Sequence, residues 1–203
     1  MAIDRTKYMS TDEVRRLRTV TEAGEITDRA KGRVRGALAW AVVDVALSTG
    51  LRVSEIGKLT VGAVDAKRGA LRVSRSKKRK PVVETLAVGS ELLAHLKDFI
   101  AWKEAVGQAI GKADPLFVGK RGSLTVLGLQ QIWKRAIAAA GLPKELSIHS
   151  ARHTLAVHLL KRTGNLRLVQ KQLGHASPTI TANLYADVCF EDMQNAVNGL
   201  YDA

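Results

Sequence analysis

Residues 70–75 and 82–88 read as two strands rich in valine and leucine, and between them lies the turn sequence Lys77-Lys78-Arg79-Lys80. Elsewhere the apolar residues keep helical spacing. This one stranded interlude limits the chain to an α+β fold, mainly helical, with a small antiparallel sheet that carries a basic hairpin.

The helical segments follow from caps and breaks. Ser10-Thr11-Asp12-Glu13 supplies capping residues ahead of Val14 and Leu17, which makes residues 1–9 an extended arm. Across 29–48, Val34, Leu38, Val42, Val45 and Ala46 recur at helical spacing, and Gly50 provides the stop. A further helix begins almost at once. Helical patterns return at 90–106, 126–140, 149–163, 166–173 and 190–200, separated by breaks such as Gly111 to Pro115 and Gly141-Leu142-Pro143. No internal repeat or compositional shift divides the chain, so residues 1–203 are expected to form a single domain.

Charge narrows the class of partner. The 203 residues are 46% hydrophobic, enough for one sizeable core, while 32 basic residues against 19 acidic ones give a formal charge of +13. Such a surface attracts a polyanion, with nucleic acid favoured over anionic lipid. No run approaches the ~20 apolar residues of a membrane span. The first residues, Met1 to Lys7, lack an apolar signal core, and one cysteine, Cys189, fits a reducing compartment as a small buried hydrophobe. The expected location is cytoplasmic and nucleoid-associated.

Three clusters carry chemistry. In Thr49-Gly50-Leu51-Arg52-Val53-Ser54-Glu55, Arg52 stands where one helix has ended and another begins, a place from which a guanidinium can reach a phosphate. Glu55 lies on the same helical side and can hold that guanidinium; read alone, the two also fit a solvated surface pair. The hairpin brings together Arg72, Arg75, Lys77, Lys78, Arg79 and Lys80 without an acid, which suits phosphate contact and equally describes a solvated basic loop. In the third cluster, His149 and Arg152 share one face at a helix start, His175 follows Leu173-Gly174 at a helix boundary, and Tyr185 lies ten residues beyond His175. A phenol can break a phosphodiester by attacking phosphorus while cations and hydrogen-bond donors neutralise the developing charge. His95, His158, Tyr8 and Tyr201 fit structural roles, and His153 fits packing beside the site. Neither paired carboxylates nor Cys/His zinc spacing occurs, so neither a metal nor a cofactor is expected.

Taken in order, the Thr-Gly-Leu-Arg-x-Ser-Glu segment, the hairpin lysine, His149-Ser150-Ala151-Arg152, Leu173-Gly174-His175 and Tyr185 resemble the catalytic domain of the tyrosine recombinases, the phage-integrase family. The resemblance runs from Tyr8 to the final helix. It implies that Arg52 and Arg152 grip the scissile phosphate, His175 adds a donor, and Tyr185 is the nucleophile. His149 assists as proton acceptor or phosphate ligand, Lys77 protonates the departing 5′ oxygen, and Glu55 and His153 support the site. Arg75, Lys78, Arg79 and Lys80 are the expected DNA-binding residues. The implied activity is site-specific strand exchange on double-stranded DNA through a 3′-phosphotyrosyl link; the alternative is an accessory DNA-binding protein that keeps the fold. Self-association on DNA as a tetrameric synapse, directionality or accessory factors, and docking of residues 188–203 on a neighbouring protomer are implied too. Typical members carry a core-binding domain ahead of the catalytic one. The sequence resembles a short form without it, whether an excised fragment or a single-domain member.

Overall fold

The computed structural model describes residues 7–77, 80–119 and 122–174, with residues 76, 77, 80 and 81 described by their backbone only. Its first helix, α1 (Thr11–Ala30), starts at the expected cap. The Ser10 hydroxyl accepts from the Glu13 amide at 3.2 Å and the Glu13 carboxylate accepts from the Ser10 amide at 2.7 Å, so two otherwise orphaned donors are satisfied reciprocally. The second helix, α2 (Arg35–Thr49), begins later than its apolar pattern suggests, because α1 continues through Ala30 and a turn intervenes. Periodicity located the apolar stripe, but not the turn that interrupts it.

α2 is the hub. Ala37, Ala41, Val42, Val43, Val45 and Ala46 are buried on every side, the signature of a helix enclosed by others. Packed around it are α1, α4 (Ser90–Ala105), α5 (Val126–Ala139) and α6 (Ile148–Thr163), while the short α3 (Val53–Ile56) follows directly and α7 (Leu166–Leu173) packs on α6. The later helices begin and end within a residue of the expected positions. Thr125 caps α5 by accepting from the Gly128 amide at 3.1 Å, and Asn165 caps α7 by accepting from the Leu168 amide at 3.1 Å.

The stranded interlude forms as expected and extends further. Strands β1 (Val64–Asp65), β2 (Ala70–Lys77) and β3 (Lys80–Ala87) make an antiparallel sheet in the order β1-β2-β3. Lys77 pairs with Lys80, so both ends of the expected turn are strand residues. Pro81 is accommodated because β3 is an edge strand, where a missing amide donor leaves no ladder bond broken. Two small features had no sequence signal strong enough to read: β1, and the pair β4 (Val118–Gly119) and β5 (Gly122–Ser123).

The structural reading of His95 gains support. His95 places Nδ1 2.7 Å from Asp44 Oδ2 and stacks on Trp40 at 4.7 Å, while Arg18 reaches the same carboxylate at 2.9 Å. The arm expected at residues 1–9 is not free at its described end. Met9 is fully buried, and its amide donates to the Thr154 hydroxyl of α6 at 2.9 Å.

Candidate active site

Gly50 ends α2 with φ of +62°, in the left-handed region that glycine tolerates best. Its tight turn delivers Arg52 to the N-cap of α3. There the Arg52 amide donates to Glu55 Oε2 at 2.9 Å and Nη1 donates to Glu55 Oε1 at 2.9 Å. Glu55 is buried and the Arg52 side chain is 46% exposed, so the carboxylate fixes the base of the guanidinium while its outer edge stays accessible.

Arg152 joins this turn to a second one. From α6 its Nη1 donates to the Gly50 carbonyl at 2.7 Å and its Nη2 to the Leu173 carbonyl at 2.8 Å. Both acceptors are helix C-terminal carbonyls, where a cation is favoured and where the planar guanidinium fork spans two oxygens at once. The Leu173 side chain also packs beside Gly50: a Cβ on Gly50 would lie 2.7 Å from Leu173 Cδ2. Arg52, Arg152 and the residues that precede His175 therefore converge, although the chain separates them widely.

The hairpin converges on the same point through Arg75. Sequence reasoning placed Arg75 with the exposed DNA-contacting cations, but it is buried, 2% exposed. Its Nη2 donates to the Gln172 carbonyl at 3.0 Å and its Nη1 lies 3.1 Å from Glu84 Oε2. The physical reason lies in the register: Arg75 pairs with Val82, so Glu84 is its diagonal neighbour on the same sheet face, within reach of two long side chains. Glu84 escaped notice because only the register reveals that diagonal.

Three guanidinium groups, Arg52, Arg75 and Arg152, thus face two carboxylates, Glu55 and Glu84, and the excess is positive. Burial first, then the repulsion of Arg52 and Arg75 against the attraction of Glu55, pulls the Arg152 pKa down to about 10. It stays charged at neutral pH. A cluster that raises the cost of its own positive charge gains from an anion, as a phosphate-binding site should.

On the first turn of α6, His149 is exposed one turn ahead of Arg152. His153 is partly buried, and burial together with Arg152, His149 and Lys7 holds its pKa below the ordinary histidine value, which fits the packing role. Lys77 ends β2 beside the site's own strand residue, Arg75. Lys78, Arg79, His175, Tyr185, Cys189 and the helix expected at 190–200 lie outside the described residues. Among the described residues no group of three or more His, Cys, Asp or Glu is arranged to hold a metal ion, and no helix is long and apolar enough to cross a membrane.

The small sheet and the helix termini thus gather arginines around one positively charged centre of a mainly helical fold. Comparison with known proteins identifies the lineage. The model of the phage integrase family matches residues 7–192, and the chain belongs to that family. It is 36% identical over 160 residues to tyrosine recombinase XerC of Chromohalobacter salexigens, covering 77% of this chain and 50% of that protein. To tyrosine recombinase XerD of Oceanobacillus iheyensis it is 30% identical over 175 residues, covering 85% and 55%. Among solved structures, XerA recombinase superposes with a TM-score of 0.73 at 25% identity, over 93% of this chain and 62% of that one. The XerH recombinase bound to its palindromic difH substrate shares the fold with a TM-score of 0.72 at 21% identity, over 97% of this chain and 53% of that one. The chain spans about half the length of the relatives it matches.

Proposed function

We propose that the chain is the catalytic part of a site-specific recombinase that cleaves and rejoins double-stranded DNA through a 3′-phosphotyrosyl intermediate. The observation that carries this reading is the double hydrogen bond of Arg152 to Gly50 and Leu173, which ties the Arg52 turn to the residue pair preceding His175.

In this reading the scissile phosphate lies against the exposed edge of Arg52 and accepts from N–H groups of Arg152 other than those that donate to Gly50 and Leu173. The Tyr185 phenol gives its proton to His149 or water, and its oxygen attacks phosphorus. The bond to the 5′ oxygen breaks, and Lys77 supplies the proton that this oxygen needs. Arg52, Arg152 and His175 stabilise the non-bridging oxygens as charge builds on them, which is where a preorganised site lowers the barrier most. Attack on the phosphotyrosine by a 5′ hydroxyl from a second duplex reverses the same steps and exchanges strands. No bond energy is lost, so no nucleotide cofactor is required.

Strand exchange joins two duplexes and calls for more than one protomer on DNA. Solved relatives in the same fold include a λ integrase tetramer bound to a Holliday junction, at 20% identity. We extend that arrangement to this chain as self-association on DNA, with residues 188–203 docking on a neighbouring protomer, a cytoplasmic, nucleoid-associated location, and accessory factors setting direction.

The test is covalent capture on a nicked suicide substrate. The native chain should form a protein–DNA adduct, whereas Tyr185→Phe should form none while binding DNA almost as tightly, because it removes one oxygen and keeps the ring. Binding with no adduct would favour the accessory DNA-binding role, and an adduct mapped to Tyr201 or Tyr8 would overturn the choice of nucleophile.

A further inference from the structure

Arg75 is a buried arginine that the mechanism above does not use. A guanidinium withdrawn from water costs several kcal/mol unless it is well paired, and a long apolar side chain would fill the same space without that cost. The pairing here is incomplete. Nε and Nη1 make no hydrogen bond among the described residues, although Nη1 lies 3.1 Å from the Glu84 carboxylate. The Arg75 side chain donates a hydrogen bond outside its own hairpin, to the carbonyl of Gln172 in the last turn of α7.

Gly174 explains how the side chain fits there. It closes α7 with φ of +64°, and a Cβ added to it would stand 1.4 Å from Arg75 Nη1 and 2.4 Å from Cζ. The bare α-carbon face of Gly174 is thus the seat of the Arg75 guanidinium. Glycine is required here twice over, by its backbone angle and by its neighbour. The next residue in the chain is His175. On the hairpin side, Lys77 is two residues beyond Arg75 and ends the same strand.

We propose that Arg75 is a positioning residue that latches the basic hairpin to the C-terminus of α7, holding the end of that helix, from which the chain continues to His175, in a fixed relation to β2, the strand that ends in Lys77. The inference rests on the recombinase reading above. Arg152 fixes α7 from the side of α6 through Leu173, and Arg75 fixes it from the sheet through Gln172, so two cations satisfy neighbouring orphan carbonyls at the same helix end. Glu84 keeps the guanidinium turned toward α7 and partly neutralises it, leaving the phosphate-binding charge to Arg52 and Arg152.

The test is a double-mutant cycle between Arg75 and His175, read by single-turnover adduct formation and by amide hydrogen exchange of the full-length chain. Arg75→Met should slow cleavage by at least about tenfold in the native background, and it should add little further loss once His175→Ala is present, because residues that act through one another are not additive. The exchange of amides in residues 170–174 should speed up while α2 and α5 stay protected. Arg75→Lys, which keeps the charge but cannot reach both partners with a planar fork, should recover part of the rate. Should Arg75→Met misfold, Gly174→Ala displaces the guanidinium without removing it and should reproduce both effects. Equal slowing with and without His175 would overturn the latch, as would unchanged exchange at residues 170–174. If the native chain forms no adduct at all, the recombinase reading falls, while the exchange measurement still reports whether Arg75 holds α7.

Discussion

Arg152 donates a 2.7 Å hydrogen bond to the carbonyl oxygen of Gly50, across 102 residues of sequence. The bond joins the start of α6 to the end of α2 and makes the geometry of Arg52 depend on a residue in another motif. The arginine proposed to hold the scissile phosphate is also a structural clamp.

Arg152→Lys should therefore cost stability as well as activity. A single ammonium cannot span the Gly50 and Leu173 carbonyls, so one buried acceptor loses its charged donor, at about 1–3 kcal/mol. Urea denaturation should show a lower midpoint. Cleavage of a suicide substrate should fall by at least about 10²-fold, the scale seen when one oxyanion donor is removed. A variant with native stability and native rate would show that the two carbonyl contacts do not matter.

Association with DNA should weaken steeply as salt rises, since a chain of charge +13 gains affinity by releasing counterions condensed on the phosphates. Replacing Lys78, Arg79 and Lys80 together by alanine should lower non-specific affinity and reduce the magnitude of the log–log salt slope by up to about three phosphate contacts. Replacing Arg75 should leave that slope almost unchanged, because its guanidinium is buried between Glu84 and Gln172. Fluorescence anisotropy over a salt series measures both. An unaltered slope in the triple variant would remove the hairpin from the DNA contact surface.

The sequence makes the helices legible because caps and stops such as Ser10 and Gly50 act locally. The site's polar inventory is legible too, since Arg52, Glu55, His149 and Arg152 stand in short motifs. The fate of Arg75 is not. Whether an arginine on a strand faces solvent or the interior depends on which face the sheet buries and on a diagonal partner, Glu84, that only the pairing register supplies. The expected exposure followed from the company of Lys77 to Lys80, whereas its burial follows from α7, almost a hundred residues away. The end of the arm is a similar case: no local pattern links Met9 to Thr154.

His153 supplies a pH dependence of known sign. Burial first, then Arg152, His149 and Lys7, depress its pKa below the ordinary 6.5, so the folded chain resists a proton that the unfolded chain accepts at that value. The unfolded state binds more protons as pH falls through 6.5, and stability must fall with it. The contribution is fully present above that pH and is lost progressively below it. His153→Gln should flatten this part of the profile in urea unfolding series taken between about pH 7.5 and pH 5.5. An identical fall in the variant would assign the acid sensitivity to other groups.

Lys77 is the proposed general acid, and its place at the end of β2, paired with Lys80, leaves its neighbour in sequence, Lys78, as the rival. A proton donor matters most when the leaving group is a poor one: a 5′ alkoxide needs a proton to depart, whereas a 5′ thiolate leaves readily without it. Lys77→Ala should cleave ordinary DNA slowly, by about 10²-fold or more, and regain most of that loss on a substrate with sulfur at the bridging 5′ position. Arg152→Ala should regain little, because it removes charge stabilisation of the non-bridging oxygens, which the sulfur does not replace. Single-turnover rates on the two substrates separate the roles. Rescue seen in Lys78→Ala and absent in Lys77→Ala would move the proton donor one residue along the chain, and rescue in neither would mean that neither lysine is the acid.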